Sequence, residues 1–176
     1  MGVGIDLTGR WQGSYSQYGR PHPITAELLQ AGDALSGTMH DGETVTEKSL
    51  FELALEAGLP PGADEQIEQS LREMFPDARS ARVRSKSELP ALSTLDGHVR
   101  GQIVSFVKQY QGESFHGYQV GDRLVGETKE GHAVHYRGEI SDNEMSIAGR
   151  WWIDQETPRG VVRIEGEFEL SRVSFR

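Results

Sequence analysis

Six histidines, 27 carboxylates and a short stripe of cations are the groups in this chain able to carry chemistry, and spacing narrows them. His132 and His135 are the closest histidine pair, but residues three apart on a strand face opposite sides. A metal site would have to be assembled across strands from His40, His116 or His135, and none is expected. No cysteine is present, which excludes disulfides, thiolate metal sites and a thiol nucleophile. Neither a G-x-S-x-G elbow nor a G-x-x-x-x-G-K-[ST] loop occurs. Asp122, Glu127 and Glu139 would serve acid–base chemistry if they faced inward, yet Glu127 and Glu139 fall on the polar phase of their strands. No catalytic residue, metal or cofactor is therefore expected. Between Arg79 and Leu89, the cations Arg82, Arg84 and Lys86 alternate and share one strand face. That pattern suits either a charge-protected, solvated edge or an anion site. The remaining group is Tyr15, Gln17, Met39, Tyr136 and Trp151, large side chains with a few polar tips. Such a mixture lines small-molecule pockets and packed cores alike.

These residues must be positioned by strands. Gly9, Trp11, Gly13 and Tyr15 alternate with polar neighbours, as do Leu35, Gly37 and Met39. The same period recurs in Val134–Ile140, in Ile147, Gly149, Trp151 and Ile153, and in Val162–Leu170. Period two with one apolar face marks antiparallel strands wetted on one side. Turns are read at Gly19-Arg20-Pro21, Ala31-Gly32-Asp33, Asp96-Gly97, Arg100-Gly101-Gln102, Glu130-Gly131 and Ser141-Asp142-Asn143. A glycine interrupts nearly every apolar face (Gly13, Gly37, Gly126, Gly138, Gly149, Gly166), which favours tight coiling into a closed barrel over a flat sandwich.

From Thr46 to Phe75 the period turns helical. Leu50, Leu53, Ala54 and Ala57 form one stripe, ended by Gly58 and Pro60-Pro61. Ile67, Leu71, Met74 and Phe75 form a second, with Asp64 read as its N-cap and Pro76 as its stop. The expected fold is an all-β, antiparallel up-and-down barrel of about eight strands. It is one domain over residues 1–176, with a two-helix insertion at 46–75 that either plugs or covers the barrel.

The opening Leu7-Thr8-Gly9-Arg10-Trp11, followed by Ala34-Leu35-Ser36-Gly37-Thr38, resembles the first strands of the avidins. Gly9-Arg10-Trp11 also resembles the G-x-W element of the lipocalins. Both are calycin-type barrels holding a ligand in or near the mouth. The resemblance covers Leu7–Met39 and extends further only as a pattern of strands. It implies that Trp11 closes one barrel end beneath a basic residue of the last strand, and Arg172 is in phase for that role. Biotin-binding avidins carry Asn two residues after the tryptophan; Gly13 stands there, so biotin is not expected. Gly9-Arg10-Trp11-Gln12-Gly13 is similar to the start of haem-binding nitrobindin barrels, whose iron ligand is a histidine close to the C-terminus. The last histidine here is His135, so haem is not expected either. The stretch Tyr118–Trp152 resembles strands of bacterial proteins of no assigned function.

The 176-residue chain has 18 basic against 27 acidic residues, a net charge of −9. That balance argues against nucleic acid and anionic lipid as partners. No apolar run of about 18 residues exists, and Met1–Asp6 lacks a basic, apolar leader, so a cytoplasmic protein without a membrane partner is expected. The expected function is non-covalent binding of a small, partly apolar molecule in a barrel cavity lined by Tyr15, Gln17, Met39, Tyr136 and Trp151. Two alternatives stand beside it: an interaction module using Trp152, strand edges or the helices, and a small-barrel enzyme.

Overall fold

The computed structural model describes residues 4–78 and 80–174, so Met1–Val3 of the leader reading and Arg79 lie outside the described residues. Among the described residues, twelve strands follow one another. The first three are β1 (Gly9–Gln17), β2 (Arg20–Ala31) and β3 (Ala34–Asp41). Next come β4 (Val45–Lys48), helix α1 (Leu50–Glu56), helix α2 (Ala63–Met74) and β5 (Val83–Glu88). Then follow β6 (Leu92–Arg100), β7 (Ile103–Tyr110), β8 (Glu113–Val120) and β9 (Arg123–Glu130). The chain ends with β10 (Ala133–Ile140), β11 (Ser146–Thr157) and β12 (Gly160–Arg172). It divides into two compact units, one of Met1–Glu43, Pro90–Gly112 and Gly131–Arg176, the other of Thr44–Leu89 and Glu113–Glu130.

The first unit is a closed, antiparallel eight-stranded barrel, ordered β1-β2-β3-β6-β7-β10-β11-β12 and back to β1. Neighbours in the barrel follow chain order except for two excursions, after β3 and after β7. Inward positions carry the apolar phase seen in the sequence: Trp11, Met39, Val104, Ile147 and Leu170 are all but sealed from solvent. Midway, the Phe106 and Tyr136 rings stack at 4.9 Å and Phe168 meets Tyr136 edge-on at 5.0 Å. Glycine is required where strands approach most closely. A Cβ on Gly149 would fall 2.0 Å from the Arg137 carbonyl oxygen, so the coil between β10 and β11 admits no side chain there. Gly97 is the same case, with Ser105 O at 2.0 Å from such a Cβ. This corrects the Asp96-Gly97 turn: both residues lie inside β6, paired with Val107 and Phe106.

The second unit is a four-stranded antiparallel sheet, β4-β5-β8-β9, with both helices packed on one face. Leu50, Leu71, Val83 and Val120 form its core, flanked by Ile67, Phe75, Tyr118 and Val125. The helical stretch read from Thr46 begins instead at Leu50, because Thr46–Lys48 pair with β5 as strand β4. Ser49 then caps α1, its side chain accepting from the Glu52 N–H at 3.1 Å. Asp64 is not the N-cap of α2: left-handed Gly62 holds that position and Asp64 lies in the first turn, where its charge favours the helix dipole. Gly126 belongs to this sheet rather than to the barrel. Among the described residues, no helix is long and apolar enough to cross a membrane.

Candidate functional site

Charged side chains break the inward apolar phase at one end of the barrel. On β3, Leu35 and Met39 point inward and Asp41 continues their phase. On β7, Val104 and Phe106 are followed in phase by Lys108 and Tyr110. Asp41 is 5% exposed and Lys108 is fully buried. The Lys108 ammonium donates to Asp41 Oδ1, and also to the Tyr110 hydroxyl at 3.1 Å. Tyr110 in turn donates its hydroxyl hydrogen to Asp41 Oδ2 at 2.6 Å. Each member of the triangle therefore touches the other two.

Aromatic rings surround it. The Lys108 ammonium lies 4.4 Å from the Tyr110 ring centroid and 5.5 Å from that of Tyr15, within cation–π range. Tyr15 stacks on His22 at 4.9 Å and meets Trp151 edge-on at 6.0 Å. His22 Nδ1 stands 3.4 Å from the Glu43 carboxylate, and His132 packs 4.9 Å from the Tyr110 ring. Ser93 of β6 pairs across with Tyr110 and Met39; its hydroxyl is buried without a hydrogen-bond partner. Burial pushes Lys108 below its ordinary value, while Asp41 opposes the shift. Burial likewise raises the Tyr15, Tyr110 and Tyr136 hydroxyls, with the Asp41 charge adding to each. The phenols therefore stay protonated as donors.

The other barrel end is apolar. Trp11 is fully buried and donates from Nε1 to the Leu7 carbonyl at 2.9 Å. Arg172, its register partner on β12, lies 4.8 Å over the indole and donates to the Thr8 and Asp6 carbonyls.

The structure brings Tyr15 and Trp151 together, and pairs Trp151 with Tyr136 across β10 and β11. Trp151 is committed to the Ser16 carbonyl through Nε1, at 2.9 Å. Met39 is fully buried beside Ser93. Gln17 sits partly buried at the end of β1 opposite Arg20, and no described ring or hydrogen-bond contact ties it to the others. Glu127, Glu139 and Asp122 are exposed. His40 is exposed, His116 contacts Ser87 Oγ at 3.2 Å, and His135 stacks on Trp152 at 5.4 Å. Among the described residues, no three His, Asp or Glu side chains gather to hold a metal ion.

Sequence reasoning passed over Asp41, Lys108, Tyr110 and Ser93. Their signal was a charge standing in an apolar phase, at Asp41 after Met39 and at Lys108 after Phe106. In β7 it was hidden by the near-continuous run Ile103-Val104-Ser105-Phe106-Val107, which shows no clean alternation. Set against known proteins, the chain matches no family model, no curated protein and no solved structure.

Proposed function

We propose that the barrel is a calycin-like binder of a small, partly apolar molecule, received at the end carrying Asp41, Lys108 and Tyr110. The single observation behind this reading is the buried Lys108–Asp41–Tyr110 triangle beside an unpartnered Ser93 hydroxyl. A buried ion pair is often less stable than apolar side chains of similar volume, so stability alone gives little reason for one here. Buried ionisable groups with shifted affinities for protons cluster at functional sites. Lys108 and Asp41 already cancel in charge, which favours a neutral hydrogen-bonding head, a hydroxyl or carbonyl, over an ion. Ser93 Oγ and the Tyr15 hydroxyl supply its partners, and the Tyr15, Tyr136 and Trp151 rings supply apolar contact. The Phe106–Tyr136–Phe168 rings occupy the middle of the barrel, so the ligand is short.

The test is a panel of short alcohols, ketones and amides titrated against the intrinsic tryptophan emission. A saturable quench that disappears in Trp151→Phe but persists in Trp152→Phe is expected. No response from a folded protein across the panel would refute the reading.

A second reading has its own observation. On the outer barrel wall, a groove of about 340 Å³ runs between Asp96, His98, Val107, His135 and Trp152. Trp152 is half-buried there, stacked on His135, with Arg163 5.3 Å from its ring. If this wall docks a protein, Trp152→Ser abolishes a complex visible by native mass spectrometry and leaves the panel titration unchanged.

A further inference from the structure

The four-stranded sheet has a face of its own opposite its helices. Val83 turns into the helix-covered core, so Arg82, Arg84 and Lys86, at alternate positions, share the other side. Across the sheet, Arg84 faces Gln119 and Lys86 faces Gly117. A groove of about 200 Å³ lies on this face, lined by Glu47, Arg82, Arg84, Gln119 and Gly121. Lys86 is engaged with Glu88 at 3.3 Å and stands opposite Glu47, which neutralises it locally. Arg84 differs: its Nε is buried and has no hydrogen-bond partner. An N–H donor of a permanently charged group, removed from water and left unpaired, is costly. Gln119, which donates to the Gly121 carbonyl at 3.1 Å, is held beside it by its own strand end.

We propose that this groove binds a compact oxyanion, the carboxylate or phosphate group of a small molecule, through Arg82, Arg84 and the Gln119 amide. The planar guanidinium of Arg84 offers paired N–H donors that match two anion oxygens, and the unpartnered Nε–H is one of them. The chain as a whole carries −9, so two guanidiniums in one concavity run against the overall field and confine the attraction to the groove. Glu47 in the lining repels an extended polyanion, and the volume admits one anionic group. Nucleic acid is thereby disfavoured.

Inorganic phosphate and acetate, each titrated at constant ionic strength so that screening stays fixed, test the site by NMR. The Arg84 Nε–H signal reports directly, and the Gln119 side-chain amide reports in variants. A saturable shift in the wild type is expected, weakened by about tenfold or more in Arg84→Lys, which keeps the charge and loses the planar fork. Tighter phosphate assigns a phosphate group, and tighter acetate a carboxylate. A drift without saturation for both ions, or Arg84→Lys binding as tightly as wild type, would overturn the proposal. Because the wild-type signal is read first, a poorly folded variant does not remove the test.

Discussion

At the scale of single residues, a buried tryptophan lies toward one end of the barrel and a buried ion pair toward the other. Trp11 fills the apolar end with its indole N–H satisfied by Leu7. Trp11→Ala is expected to cost about 3–5 kcal/mol in denaturant melts, as removal of a large buried ring does; a wild-type midpoint would contradict this packing. Lys108→Met strands the Asp41 carboxylate in the interior and should cost about 3–5 kcal/mol. Adding Asp41→Leu removes the stranded charge, so the double variant should recover most of that loss. A double variant less stable than Lys108→Met would show that the pair itself carries the fold. Protonation adds a directional check. Lys108 in the folded barrel is lowered from 10.5, so below that value the unfolded chain holds a proton the folded one releases more readily. Its contribution to stability therefore rises with pH up to the ordinary lysine value. Tyr15, Tyr110 and Tyr136 are raised above 10.0, so above that pH the unfolded chain loses protons that the folded barrel keeps. Stability falls from there. Equilibrium melts from neutral to strongly alkaline pH, on wild type and double variant, read both slopes. A lysine-dependent rise absent from the wild type would refute the burial of the ammonium.

At the scale of elements, the alternating strands β1, β3, β10, β11 and β12 were legible because one face is apolar and the other wet. Gly149 was legible as a sign of close approach, and its expected response to Val is overpacking, a loss of about 1–3 kcal/mol by thermal melting. Tolerance of Gly149→Val would mean that β10 and β11 lie further apart than they do here. Strands β5, β7, β8 and β9 were harder. The burial of β7 blurs its alternation, and β9 is exposed along nearly its whole length. Gly97 misled because glycine after aspartate is a turn signal, whereas here it is a point where β6 meets β7 with no room for a Cβ. The site failed to show for a related reason: Asp41 lies on β3 and Lys108 and Tyr110 on β7, far apart in sequence, and only the pairing of both strands with β6 makes them neighbours.

At the scale of the whole molecule, the chain interrupts one barrel twice and folds the two excursions into a sheet of their own. The helices were visible in the sequence, but their companion sheet was not, since its strands are split between 44–89 and 113–130. Each excursion returns close to where it leaves. The Asp41 N–H bonds the Ala91 carbonyl at 2.9 Å, and a Cβ on Gly131 would lie 2.8 Å from the Gly112 carbonyl. Replacing both excursions with short turns is therefore expected to leave a barrel that melts cooperatively with buried Trp11 emission; a molten, red-shifted product would contradict this. On the proposed reading, the charged interior of that barrel serves recognition rather than folding. Isothermal titration of the strongest panel compound into wild type and into Asp41→Leu/Lys108→Met decides it. Saturable heat in the wild type with none in an equally stable double variant is the predicted result, and identical binding curves for the two proteins would contradict it.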